Sequence, residues 1–184
     1  MKYLTPNSSL KKAVQKIKVL AMDVDGVLTS GLICLDSKGQ EVKSFHSQDG
    51  LGLVLAKHAG LKTVFISSRK SRALEIRARE LRVDRLYQDQ VHKLEALEDL
   101  MCRFSVSTDE VSYVGDDLID LVLLKRVGFP VAVANAVEEV KKAAKYITGM
   151  KGGEGAIREV VEYILKIQGC WQDVTREYLE DPLS

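Results

Sequence analysis

Five aspartates, a serine and a lysine are the residues of this sequence whose types and spacing could do chemistry. Asp23-Val24-Asp25-Gly26 closes an apolar run. Side chains two apart on an extended chain point the same way, so Asp23 and Asp25 can share a face, and Gly26 lets the backbone leave sharply. Two such carboxylates repel unless a divalent cation, a shared proton or a cationic side chain compensates them. Asp116, Asp117 and Asp120 form a second acidic cluster, with Asp116 and Asp120 spaced for one helical face. Acids at a helix start can simply favour the macrodipole. Five aspartates at the ends of two strands exceed what capping needs, however, and such an oxygen-rich set suits Mg²⁺. Ser67-Ser68-Arg69-Lys70 offers a hydroxyl and backbone N–H groups at another strand end, usable toward a phosphate oxygen or as a turn and helix cap. Lys93 opens a helix, where a lysine alone is usually a solvated charge.

Positioning these residues requires strands that end together. Val19–Met22 and Thr63–Ile66 read as strands buried on both faces, Arg85–Tyr87 as a short strand, and Val111–Val114 as a strand running into Gly115-Asp116-Asp117. A last strand is expected at Val131–Val133. Helices are predicted before the first strand, with Ser8 or Ser9 as cap and Leu10, Ala13, Val14 and Ile17 on one face. Others are predicted over 50–59, from a Ser71 cap through Leu81, and over 93–104, 118–126, 137–145 and 156–167. Strands alternating with helices imply βαβ units in an open, Rossmann-like, mainly parallel sheet with helices on both faces. In such a sheet the ligand crevice lies at the carboxyl ends of the strands. Leu32–Leu35 and Val42–Phe45, around Asp36-Ser37-Lys38-Gly39, predict a projecting β-hairpin flap over about 31–45. The tail, about 168–184, carries Trp171, Tyr178 and Leu179 without a clear period.

Composition narrows the class. The 184 residues suffice for one domain spanning 1–184. Charges nearly cancel, 27 Lys+Arg against 26 Asp+Glu, so no basic excess is available for nucleic acid. No run approaches the ~20 apolar residues of a membrane span, and Lys11, Lys12, Lys16 and Lys18 interrupt any apolar leader, which predicts a cytoplasmic protein. Cys34, Cys102 and Cys170 are too scattered for a zinc site and read as buried or half-buried thiols. His46, His58 and His92 read as surface or loop residues, with His92 beside Lys93.

The ordered set Asp23-x-Asp25-Gly26, Ser67 after an apolar strand, Lys93, and Gly115-Asp116-Asp117-x-x-Asp120 resembles the four motifs of the haloacid dehalogenase superfamily of phosphohydrolases. Further stretches are similar to its cap-less branch containing the 3-deoxy-D-manno-octulosonate 8-phosphate (KDO 8-phosphate) phosphatases. These are Asp23 to Thr29, Gln48-Asp49-Gly50, Leu86-Tyr87-Gln88, Asp117 to Asp120 and Gly152 to Glu159. Where that branch usually carries Thr-Gly-Arg, this chain has Ser67-Ser68-Arg69. The resemblance implies an Mg²⁺-dependent phosphatase acting in lipopolysaccharide precursor biosynthesis through an aspartyl-phosphate. Asp23 would be the nucleophile and Asp25 the acid and base. Ser67 and Lys93 would hold phosphoryl oxygens, and Arg69 and Gly26 would face the substrate. Asp23, Asp25 through its carbonyl, and Asp116 would hold the metal, with Asp117 and Asp120 as support. A related nonulosonate 9-phosphatase and a catalytically idle assembly domain stay open as alternatives.

Neither inter-motif segment leaves room for a large cap. The resemblance therefore implies a homotetramer in which the hairpins pack together, through Leu32, Ile33, Leu35, Val42 and Phe45, and neighbouring subunits cover each site. The tail could reach a neighbour's site or lie disordered.

Overall fold

The computed structural model describes residues 8–180. The first seven and last four positions, the latter part of the tail considered above, lie outside the described residues. Helix α1 (Ser8–Gln15) leads into β1 (Val19–Met22), whose four residues are all buried. Ser8 and Ser9 sit inside the first turn of α1.

After β1 come a two-stranded hairpin, β2 (Cys34–Leu35) with β3 (Glu41–Val42), then α2 (Ser47–His58), β4 (Lys62–Ile66), α3 (Arg72–Glu80) and β5 (Arg85–Tyr87). The second half runs α4 (Lys93–Phe104), β6 (Val111–Gly115), α5 (Leu121–Leu124), β7 (Phe129–Ala132), α6 (Glu138–Ala143), β8 (Tyr146–Ile147), α7 (Ala156–Gln168) and α8 (Trp171–Glu180). Six strands form one parallel sheet in the order β5-β4-β1-β6-β7-β8. The chain builds outward from β1 through β4 to β5, then returns to β6 on the other side. The order thus reverses at β1, the point where open α/β sheets form their crevice. Helices α1, α2, α7 and α8 pack on one another, as do α4, α5 and α6.

The expected α/β sheet with flanking helices and a separate hairpin is present, with β8 as a sixth strand beyond the five read from sequence and with four further differences. The predicted helix over 118–126 is broken into a 3₁₀ turn, Leu118–Asp120, and the single turn of α5. Strand β7 starts earlier, at Phe129, and takes in Pro130, whose carbonyl accepts from Lys145 N. The tail is ordered over 171–180: α8 sets Val174 into the core and Tyr178 edge-on against His58, with the Trp171 ring 5.3 Å from the charges of Arg158 and Lys166. Its Trp171 and Tyr178 therefore contact their own chain. The thiols of Cys34 and Cys102 are exposed and that of Cys170 is partly buried, because Cys34 rides on the hairpin and Cys102 on the outer face of α4.

Candidate active site

The register places the chemistry. Met22 pairs with Phe65 on one side and Val114 on the other, so Asp23, Ser67 and Asp116 leave three adjacent strand ends within one residue of the same level. Asp23 N donates to Val114 O at 2.9 Å, keeping the strand pairing intact up to the reactive residue. The chain then folds into a tight turn in which the amides of Val27, Leu28 and Thr29 all donate to Val24 O. Buried Thr29 Oγ1 donates to Val24 O and accepts from Gly26 N and Gly31 N, tying the turn together. Gly26 has φ +97°, and a Cβ there would run into the Asp116 carboxylate. Its glycine is required by both conformation and space.

Beneath this edge lies a buried ion cluster. Lys93, at the start of α4, is 1% exposed. Its Nζ lies 2.7 Å from Asp23 Oδ1 and 2.7 Å from Asp120 Oδ1, and donates to Tyr113 Oη at 3.1 Å. Tyr113 Oη in turn donates to Asp120 Oδ1 at 2.7 Å. Asp120 Oδ2 accepts from the amides of Asp116 and Asp117 at 2.9 and 3.3 Å. Both oxygens of Asp120 are thus occupied, and this carboxylate fixes the backbone that carries Asp116. The same carboxylate closes a capping box at the start of the 3₁₀ turn, where the sequence suggests a continuous helix.

Ligand atoms of Asp23, Asp116 and Asp120 all lie within 4.8 Å of one another. Three carboxylates face one ammonium, so the fully ionised cluster holds two uncompensated negative charges. Burial raises Asp23 to about 6, against the pull of Lys93. Burial first, then repulsion from Asp23, Asp120 and Asp117, pushes Asp116 up to about 8. Burial works against the Lys93 ammonium, but Asp23 and Asp120 outweigh it and hold its pKa above the ordinary value. Asp116 Oδ1 is buried without a hydrogen-bond partner. An unpartnered carboxylate oxygen beside a surplus of negative charge is a fit for a divalent, oxygen-seeking cation.

The remaining candidates lie at the rim. Ser67 is buried; its Oγ accepts from Arg69 N at 3.1 Å, which leaves the hydroxyl proton free to donate. Arg69 is exposed and pairs with Glu41 Oε1 at 2.9 Å. Asp25 pairs with Lys43 Nζ. Asp117 is exposed and caps the 3₁₀ turn, its Oδ1 accepting from Leu118 N at 2.7 Å, outside the carboxylate cluster. His92 is exposed, whereas His46 is half-buried with Nδ1 unpartnered. His46 contributes to the electrostatics of buried Asp49, whose carboxylate accepts from Arg158 N at 2.8 Å.

Known proteins resemble this chain in sequence and in fold. The profile described as haloacid dehalogenase-like hydrolase matches residues 77–160. The 3-deoxy-D-manno-octulosonate 8-phosphate phosphatase KdsC of Escherichia coli (strain K12) is 41% identical over 155 residues, 84% of this chain and 82% of that protein. The chain belongs to the 3-deoxy-D-manno-octulosonate 8-phosphate phosphatase family. Two solved members of that family are similar in structure. The Moraxella catarrhalis phosphatase, in complex with magnesium ion, phosphate ion and KDO, has a TM-score of 0.89 and 38% identity, covering 92% of this chain and 97% of that one. The cobalt-bound phosphatase from Haemophilus influenzae has a TM-score of 0.83 and 36% identity, covering 85% and 92%.

Three residues of this family member's site escape a sequence reading: Tyr113, Lys43 and Glu41. A tyrosine inside an otherwise small or aliphatic buried strand was the available signal for Tyr113. Lys43 and Glu41 look like ordinary hairpin charges, and only folding brings them to Asp25 and Arg69.

Proposed function

We propose that this chain is an Mg²⁺-dependent phosphatase that hydrolyses KDO 8-phosphate to KDO and phosphate, supplying a lipopolysaccharide precursor in the cytoplasm. The observation that carries the reading is the Asp23 carboxylate: one oxygen is held 2.7 Å from the buried Lys93 ammonium, beside the unpartnered Oδ1 of Asp116. Lys93 fixes Oδ1 and leaves Oδ2 to attack phosphorus, forming an aspartyl-phosphate. Asp25 gives a proton to the departing sugar oxygen, then takes one from the water that cleaves the acyl phosphate. Ser67 donates its free hydroxyl proton to a phosphoryl oxygen, and Arg69 at the rim pairs with the sugar carboxylate. Asp23, Asp116 and the carbonyl of Asp25 are the groups that would hold Mg²⁺, with Asp120 orienting Asp116 through its backbone. The cation supplies the positive charge that lets an anionic carboxylate approach an anionic phosphate.

The hairpin supports a homotetramer. Leu32, Ile33, Leu35 and Val42 are 59–75% exposed, a cluster of apolar side chains on a projecting flap that a partner's flap would cover.

The test is phosphate release from a panel of KDO 8-phosphate, a nonulosonate 9-phosphate and p-nitrophenyl phosphate, with and without Mg²⁺. The reading expects Mg²⁺-dependent turnover with KDO 8-phosphate preferred. Preference for the nonulosonate would move the substrate, and no release from any of the three would leave only an assembly role.

A further inference from the structure

The flap does more than present an apolar surface. Val42 on β3 is 59% exposed, yet the side chain of the next residue, Lys43, is only 5% exposed. A buried lysine loses much side-chain entropy and the hydration of its ammonium, so specific partners must hold it. Those partners lie in the site. Lys43 Nζ contacts Asp25 Oδ1 and sits 3.2 Å from Glu41 Oε1. Glu41 Oε1 is also 2.9 Å from Arg69 Nη2. A continuous line of opposite charges therefore joins Asp25, on the turn after β1, to Arg69, after β4, and its two middle members belong to the hairpin.

We propose that Lys43 is the positioning residue for proton transfer at Asp25, with Glu41 as its anchor. The proposal rests on Asp25 being the acid and base. A carboxylate on a turn can occupy several staggered rotamers, and only one presents it to the leaving oxygen. Lys43 clamps Oδ1 and leaves Oδ2 to carry the proton. Glu41 keeps the ammonium from swinging out to solvent, and the Arg69–Glu41 pair ties this anchor to the segment bearing Ser67. Catalytic groups held within a fraction of an ångström gain most of their advantage from such support. The hairpin thereby becomes part of the proton-transfer apparatus of its own subunit.

This role separates leaving groups. A sugar alkoxide is a poor leaving group and needs a proton as it departs, whereas p-nitrophenolate does not. The ratio kcat/KM covers only the steps through release of the leaving group, so it isolates the first transfer. Lys43→Met, Lys43→Arg, Glu41→Gln and Asp25→Asn are compared on KDO 8-phosphate and p-nitrophenyl phosphate at saturating Mg²⁺. Lys43→Met is expected to lower kcat/KM for the sugar phosphate by ~10–100-fold and for the aryl phosphate by less than ~3-fold, a fraction of a general acid's full contribution. Lys43→Arg should restore most of the loss. Glu41→Gln should show a smaller loss with the same selectivity, and it serves alone if Lys43→Met does not fold. Equal losses on both substrates, or none on either, overturn the proposal. Selective loss in Asp25→Asn without any in Lys43→Met overturns it while leaving the role of Asp25 intact. A uniform loss in Asp25→Asn overturns both.

Discussion

At the scale of single residues the site is a problem of charge. Asp116 and Asp120 look alike in sequence, but the structure gives them different work. Asp116 has a buried oxygen with no partner, whereas both Asp120 oxygens are bonded to Lys93, Tyr113 and two amides. Asp116→Ala should therefore weaken Mg²⁺ binding at least ~10-fold by removing a ligand, with folding stability retained or raised, since a buried repulsive charge goes with it. Asp120→Ala should instead cost roughly 3–5 kcal/mol of stability by leaving Lys93 with a broken buried pair. Calorimetric Mg²⁺ titration and thermal unfolding distinguish the two, and equal effects on both measurements would contradict the assignment. The metal-free protein also has a pH signature. With Asp116 near 8 and Asp23 near 6, against an ordinary value of 3.8, the native state binds protons more tightly than the unfolded chain between about 4 and 8. Metal-free stability should then fall as pH rises through that window, and Mg²⁺ affinity should rise as pH climbs from about 6 to about 8, because the cation must displace those protons. Denaturant unfolding and calorimetry at several pH values check both signs; flat profiles would contradict them.

At the scale of elements, strand ends were legible and cross-chain contacts were not. Val19–Met22 and Val64–Ile66, within the strand read at Thr63–Ile66, announce themselves as apolar runs that stop at polar residues, so Asp23 and Ser67 could be placed from the order of residues alone. The 3₁₀ start at Leu118 could not, because it depends on a carboxylate turning back onto the amides of Asp116 and Asp117. Helix α8 carries Trp171, Val174 and Tyr178 at spacings of three and four, a short amphipathic stripe diluted by the polar or charged residues between them. Loop packing was hidden as well. A Cβ at Gly152 would strike the carbonyl of Gly26, so the 152–153 loop and the catalytic turn touch backbone to backbone, joined by Gly153 N donating to Val27 O at 2.9 Å. Gly152→Ala should cost about 1–3 kcal/mol by overpacking and should lower turnover by displacing Gly26. An unchanged unfolding midpoint with full activity would show that this contact is dispensable.

At the scale of the whole molecule, the sheet brings strand ends together at its reversal point, and the hairpin and the 152–153 loop meet the turn that leaves β1. The exposed flap residues set the expectation for assembly: Ile33→Asp combined with Val42→Asp should reduce the mass in sedimentation and reduce sugar-phosphate turnover together. A wild-type chain that is fully active as a monomer would contradict the tetramer. The central claim is that the phosphoryl group passes through a covalent bond to this chain before water receives it. A phosphorothioate analogue of the substrate made chiral at phosphorus with two oxygen isotopes, and hydrolysed in water carrying the third, tests it without any need for the intermediate to accumulate. Two successive in-line displacements, first by Asp23 and then by water, predict net retention of configuration in the released thiophosphate. Net inversion would mean that water attacks the substrate directly, and would contradict the account.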